Sequence, residues 1–201
     1  MNNESNDFDD DFEHAVDAYE REDYKTAYKL FLPLAEQEDS DAQCYLGWIY
    51  ENGHGVPKDI KEALKWFRLA AEQGDYDAQN NLGLIYANGQ GIQQDSKKAV
   101  KWWKLSAEQG NADAQFTLGL MHLGELGETE DYPGETEDHK ETEKWIKLSA
   151  EQKNADAQCL LGDMYLEGMG VTEDYAEAIK WWKLAAEQGH ERAKYNLDNY
   201  K

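Results

Sequence analysis

Asp39 to Gly74 reads DSDAQCYLGWIYENGHGVPKDIKEALKWFRLAAEQG, and this stretch decides the fold because the chain repeats it. Shifted by 36 positions, Asp41-Ala42-Gln43 falls on Asp77-Ala78-Gln79; a further shift reaches Asp113-Ala114-Gln115. Leu46-Gly47 falls on Leu82-Gly83 and Leu118-Gly119, and Trp66 falls on Trp102. A fixed period of this size marks stacked repeats rather than a domain with one closed core.

Each repeat reads as two helices. Ala42, Leu46, Ile49 and Tyr50 recur at helical spacing and give the first helix one apolar face. Asn52-Gly53-His54-Gly55-Val56-Pro57 breaks the chain, since glycine permits left-handed turns and proline cannot continue a helix. Asp59 is the expected N-cap of the second helix, with Glu62 completing a capping box. That helix is expected to bury Ile60, Ala63, Leu64, Phe67, Ala70 and Ala71, to turn Trp66 and Leu69 towards a neighbouring repeat, and to stop at Gly74. The small residues Ala42, Gly47, Ala63 and Ala70 let the two helices approach closely. One such pair cannot cover its own apolar surface, so neighbours must stack.

The spaced elements Ala-x-x-x-Leu-Gly-x-x-Tyr, Gly-x-Gly-Val-Pro-x-Asp, Ala-x-Lys-Trp and Ala-Ala-Glu-Gln-Gly resemble Sel1-like repeats, relatives of the tetratricopeptide repeat. The resemblance implies an all-α, right-handed superhelical solenoid. It also implies that the first helices line a concave, ligand-binding surface. Secreted relatives proposed to bind β-lactams carry paired cysteines in each repeat; this chain does not.

Along the chain, residues 1–8 are polar and expected to be disordered. Residues 9–38 form a tetratricopeptide-like capping repeat, with a helix over Asp9 to Tyr19 and Pro33 expected to kink or shorten the next. Full repeats follow over 39–74, 75–110, 111–153 and 154–189, and 190–201 supplies a closing helix. The third is longer because Gly127-Glu-Thr-Glu-Asp-Tyr-Pro133 is followed by Gly134-Glu-Thr-Glu-Asp-His-Lys140, a tandem duplication of seven residues. Glu135 and Glu143 stand there at positions apolar in the other repeats, so this pair is expected to pack loosely around a mobile acidic loop.

The net charge of −22, from 42 acidic and 20 basic residues, repels nucleic acid and anionic membranes and leaves a protein, especially a basic one, as the partner. No cationic, apolar leader opens the chain and no apolar run is long enough to span a bilayer, so a cytoplasmic protein is expected. Cys44 and Cys159 lie three repeats apart, beyond the reach of about 7 Å that a disulfide needs, and are read as reduced. His14, His54, His122, His139 and His190 show no metal-ligand spacing, and Asp75-Tyr76-Asp77 lacks the glycine and glutamate of a calcium loop. The Gly-x-Gly turns follow helices rather than strands. Neither an enzyme nor a cofactor protein is indicated.

Positions opposite the apolar face of each first helix should be polar if they only meet water. They read Cys44, Trp48 and Glu51; Asn80, Leu84 and Ala87; Phe116, Leu120 and Leu123; Cys159, Asp163 and Leu166; Tyr195 extends the row. Trp48 and Phe116 are the candidate aromatic anchors, with Asn80 and Asp163 as polar contacts. The expected function is a non-enzymatic, monomeric protein-interaction scaffold. The alternative is an immunity or antitoxin protein that neutralises a basic toxin, possible nucleases included, by stoichiometric binding.

Overall fold

The computed structural model describes residues 4–123 and 139–200 and places eleven helices among them. They are α1 (Glu4–Glu20), α2 (Tyr24–Glu36), α3 (Ser40–Asn52), α4 (Ile60–Glu72), α5 (Tyr76–Asn88) and α6 (Ser96–Glu108). After these come α7 (Ala112–His122), α8 (His139–Glu151), α9 (Ala155–Glu167), α10 (Tyr175–Glu187) and α11 (Glu191–Asn199). The chain divides into two compact units, Met1–Ala99 and Val100–Lys201. In the first, α1 to α4 pack each against the next and α4 packs against α5; in the second, α7 to α11 do the same.

Caps set the helix ends. Asp39, Asp75, Asn111 and Asn154 each accept a hydrogen bond from the backbone N–H three residues on, satisfying one of the donors a helix start leaves open. Asp59 caps α4 by accepting from Lys61 N and Glu62 N, while Glu62 reaches forward to Lys65. Gly53 ends α3 in the left-handed region at φ 73°.

Close helix approach is steric. A Cβ on Gly47 would lie 2.4 Å from the Phe67 ring, one on Gly119 2.3 Å from Ile146, and one on Gly162 2.5 Å from Trp182. The Leu-Gly steps of α3, α7 and α9 are therefore seats for a large side chain of the partner helix.

A glutamine relay joins successive repeats. Gln43, Gln79, Gln115 and Gln158 are buried, and each donates its Nε2–H to the carbonyl of Ala35, Ala71, Ala107 or Ala150 at 3.0–3.1 Å. These carbonyls lie in the last turn of the preceding helix, where an α-helix leaves acceptors unfilled. The side-chain oxygens of Gln43, Gln115 and Gln158 then accept from Gln73, Gln152 and Gln188 at 2.8–2.9 Å. The Asp-Ala-Gln and Glu-Gln elements thus satisfy buried polar groups across each junction.

Several expectations are corrected. Helix α1 reaches back to Glu4, because no glycine or proline interrupts 4–20. Pro33 does not shorten α2, which runs to Glu36; Leu34 and Ala35 beyond it are buried, and that packing offsets the proline's intrinsic cost of about 3 kcal/mol. Trp66 is buried in the core cluster that holds Phe31 and Ala42, but Leu69 is 39% exposed, and its counterparts Leu105, Leu148 and Leu184 are 37–38% exposed. Ile60 and Leu64 are only half-buried. The acidic insertion and Glu135 lie outside the described residues, except that His139 and Lys140 open α8. Glu143 is half-buried in α8.

Candidate protein-binding face

Residues spaced three and four apart share one side of a helix, so the outward row of α3 is Asp41, Cys44, Trp48 and Glu51. In α5 it is Asp77, Asn80, Leu84 and Ala87. Trp48 is half-buried, its ring edge-on to Tyr45 at 5.1 Å between centroids. Asn80 and Glu51 are half-buried, and Leu84 is 42% exposed. Cys44 is not a surface residue: it is 2% exposed. Burial pushes its thiol well above the ordinary range, reinforced by Asp75, Asp77 and Asp41 beside it. Burial also raises the Glu51 carboxyl against the opposing pull of Lys58.

In the second unit the corresponding rows converge on a cleft of about 230 Å³ lined by Phe116, Leu120, Asp156, Cys159, Leu160, His190 and Arg192. Phe116 and Leu120 come from α7, Asp156, Cys159 and Leu160 from α9, and His190 and Arg192 from the start of α11. Phe116, Leu120 and Leu123 pack by their inner edges on a core of Ile146, Ala157, Leu161 and Met164. Tyr195 is 66% exposed, and Leu166 is half-buried.

The polar rim is held by fixed partners. His190 accepts the Ala193 N–H on Nδ1, so its neutral ring carries the proton on Nε2, which donates to Asp156 Oδ1 at 3.0 Å. Cys159 is buried, and burial first, Asp163 second, pushes its thiol up to about 12. Such a thiol is protonated near neutral pH and is not a nucleophile.

Asp163 corrects the expectation of a solvent-facing contact. It is 7% exposed, and its Oδ1 accepts from Trp182 Nε1 at 2.9 Å and Asn196 Nδ2 at 2.8 Å. Arg192 Nη2 lies 2.7 Å from Oδ2, pairing charge without the alignment of a hydrogen bond. Burial nevertheless wins, and the carboxyl titrates above its usual range. Asp163 ties α9 to α10 and α11 rather than reading a ligand.

Sequence reasoning missed Asp156, Leu160, His190 and Arg192. The signal for the last two was present in the repeat register: His190 occupies the N-cap position of Asn154, and Arg192 the position where Asp41, Asp77, Asp113 and Asp156 stand. Among the described residues no group of three His, Cys, Asp or Glu is placed to hold a metal ion.

Stacked helix pairs with a graded apolar and polar face define an α-solenoid repeat protein. The Sel1 repeat family model matches residues 17–39, 40–75, 77–111, 112–154 and 155–190, and the chain belongs to this family. Sel1 repeats are non-enzymatic scaffolds that mediate protein–protein interaction. Among solved structures, a Sel1 repeat protein from Oxalobacter formigenes is 32% identical with a TM-score of 0.80, over 89% of this chain and 49% of that one. A protective antigen of uropathogenic Escherichia coli displaying an SLR fold is 34% identical with a TM-score of 0.74, over 87% of this chain and 36% of that one. The chain therefore spans half or less of these two relatives. An immunity protein from Pseudomonas aeruginosa shares the fold at 18% identity and a TM-score of 0.58, over 90% of this chain and 68% of that one. No curated protein matches the chain.

Proposed function

We propose that the chain is a protein-interaction scaffold that seats an apolar side chain of its partner in the cleft between α7, α9 and α11. The observation that carries this is the cleft itself, where Phe116 and Leu120 form an apolar floor beside the polar rim of Asp156, His190 and Arg192. A concave apolar site with few, fixed polar groups is the usual form of a binding pocket, and aromatic anchors concentrate binding energy. The test is affinity capture with wild type beside Phe116→Asp and Leu120→Asp, with circular dichroism to verify folding. Loss of the same captured protein by both variants is expected; equal recovery by folded variants rejects the cleft.

A second reading is stoichiometric neutralisation of a basic protein, in the manner of an immunity protein. It is favoured by the net charge of −22 and by the absence of Lys and Arg from α3, α5, α7 and α9. A tight one-to-one complex with a single basic protein separates it from a general adaptor, which would recover several partners.

A further inference from the structure

The second helices gather the chain's positive charge. Twelve of its 20 Lys and Arg stand on α4, α6, α8 and α10, while α3, α5, α7 and α9 hold none. A chain of net charge −22 thus confines most of its cations to one set of helices. Each of these helices also exposes a leucine directly after a cation, at Arg68-Leu69, Lys104-Leu105, Lys147-Leu148 and Lys183-Leu184.

In the unit Val100–Lys201, α8 and α10 meet through Trp181 of α10, which packs on the core cluster that includes Ile146 and Ala150 of α8. Lys144, Lys147 and Leu148 follow the three-and-four spacing that shares one side of a helix, and Lys180, Lys183 and Leu184 repeat it on α10. All six are exposed; the exposed acids of these two helices, Glu151 and Glu187, lie one turn further on. The first lysine of each set is already engaged. Lys144 pairs with Glu141 at 3.0 Å and lies over the Trp145 ring, and Lys180 pairs with Glu177 at 3.0 Å and lies over Trp181. Lys147 and Lys183 have no ion-pair partner among the described residues, and each borders a leucine 37–38% exposed. Covering those leucines removes apolar surface from water, and a carboxylate beside either lysine supplies a pairing that the chain does not.

We infer that the exposed sides of α8 and α10 form a second docking surface, which takes an acidic amphipathic segment of a partner protein. The segment's apolar side chains rest on Leu148 and Leu184, and its carboxylates meet Lys147 and Lys183. This surface is separate from the cleft and from the basic-partner reading, both of which use first helices. Charge is screened beyond about 8 Å at physiological salt, so a single segment lying on this row feels chiefly the lysines beneath it. An anionic bilayer or a nucleic-acid duplex extends past the row and meets the acidic remainder of the chain, which favours a protein segment.

The test titrates the full chain with two synthetic peptides that carry leucine at helical spacing and either glutamate or serine elsewhere. The glutamate peptide is expected to bind roughly tenfold more tightly than the serine peptide. Lys147→Glu with Lys183→Glu weakens it roughly tenfold, while Lys25→Glu with Lys58→Glu, the same charge change at exposed positions of the unit Met1–Ala99, weakens it less than about twofold. Leu148→Ala with Leu184→Ala keeps charge and helix propensity and costs a few-fold, with circular dichroism verifying that every variant folds. Phe116→Asp leaves this binding unchanged, so failure of the cleft and failure of this surface are told apart. Equal binding of the two peptides overturns the proposal. So does equal loss in the two charge pairs, which means that only the field of the whole chain is felt. Tighter binding through Lys147 and Lys183 of phosphatidylserine–phosphatidylcholine vesicles or of duplex DNA than of the glutamate peptide overturns it as well, by showing a different occupant.

Discussion

Replacing Asp75 by Asn should stabilise the chain near neutral pH, because it installs at the α3–α5 junction the donor that Asn154 provides at 2.9 Å from Asp113. Asn caps a helix as well as Asp does, so the bond from Ala78 N, 2.6 Å from Asp75 Oδ1, survives in kind. Like unit charges at about 4 Å repel by about 1 kcal/mol at the dielectric of water, a limit that suits Asp41, only part of whose surface is shielded from solvent. The new hydrogen bond adds about 1 kcal/mol, and loss of a negative charge at the start of α5 returns roughly 0.5 kcal/mol. The expected gain is about 1–1.5 kcal/mol, which for a chain of this size raises the melting midpoint by a few degrees. The pH dependence is the sharper test. Burial and then Asp75 raise the Asp41 carboxyl above its ordinary 3.8. A raised carboxyl contributes stability that is fully present below the unfolded value and lost as pH rises through the folded one. The gain from Asp75→Asn should therefore be largest at pH 7.5 and shrink by pH 3.5, two conditions that straddle the isoelectric point of 4.4. Urea unfolding followed by circular dichroism measures both. A variant less stable than wild type at pH 7.5, or a gain unchanged at pH 3.5, refutes the reasoning.

Gly47→Ala should cost about 2 kcal/mol, since its new Cβ would lie 2.4 Å from the Phe67 ring; a melting midpoint within a degree of wild type would mean the ring moves freely aside. Glu38 and Lys153 hold φ 70° at positions where Gly74, Gly110 and Gly189 stand in the other repeats. Glycine relieves the left-handed penalty but loosens the unfolded chain, so Lys153→Gly should gain roughly 0.5–1 kcal/mol in urea unfolding. Asp163→Ala strips partners from Trp182, Asn196 and Arg192 and should cost about 3 kcal/mol, with amide exchange in α11 accelerating more than in α7.

The fold was legible because its determinants are local and recur. Asp59 and Asp75 cap helices wherever they stand, and Gly47 can only be a contact point for a large neighbour, here Phe67. What resisted reading was anything decided by tertiary packing. Pro33 carries a strong local signal against helix, yet buried Leu34 and Ala35 hold α2 through it. The role of the Asp-Ala-Gln glutamine was equally hidden, because its partners are backbone carbonyls of the preceding repeat.

Helix phase selects the row of the candidate face but not the exposure of its members, which is decided by side-chain size and by what each neighbouring helix lays against them. Phe116 and Leu120 are half-buried and line the cleft. Cys44 stands at the repeat position of Phe116, and Asp163 at that of Leu120, yet both are buried, Asp163 against Trp182 of α10 and Asn196 of α11. Chemistry then sorts the two. A thiol tolerates burial without a donor, so Cys44 needs no device beyond being protonated. A carboxylate does not, and Asp163 is accompanied by an indole, an amide and a guanidinium that the repeat pattern carries nowhere else in this combination. Departures from the repeat consensus therefore come in matched sets when they are structural. Asp75 stands where Asn154 and His190 each bring a side-chain donor to the preceding Asp, and it brings none to Asp41, which is why a change at that junction, unlike one at Asp163, is expected to stabilise the chain.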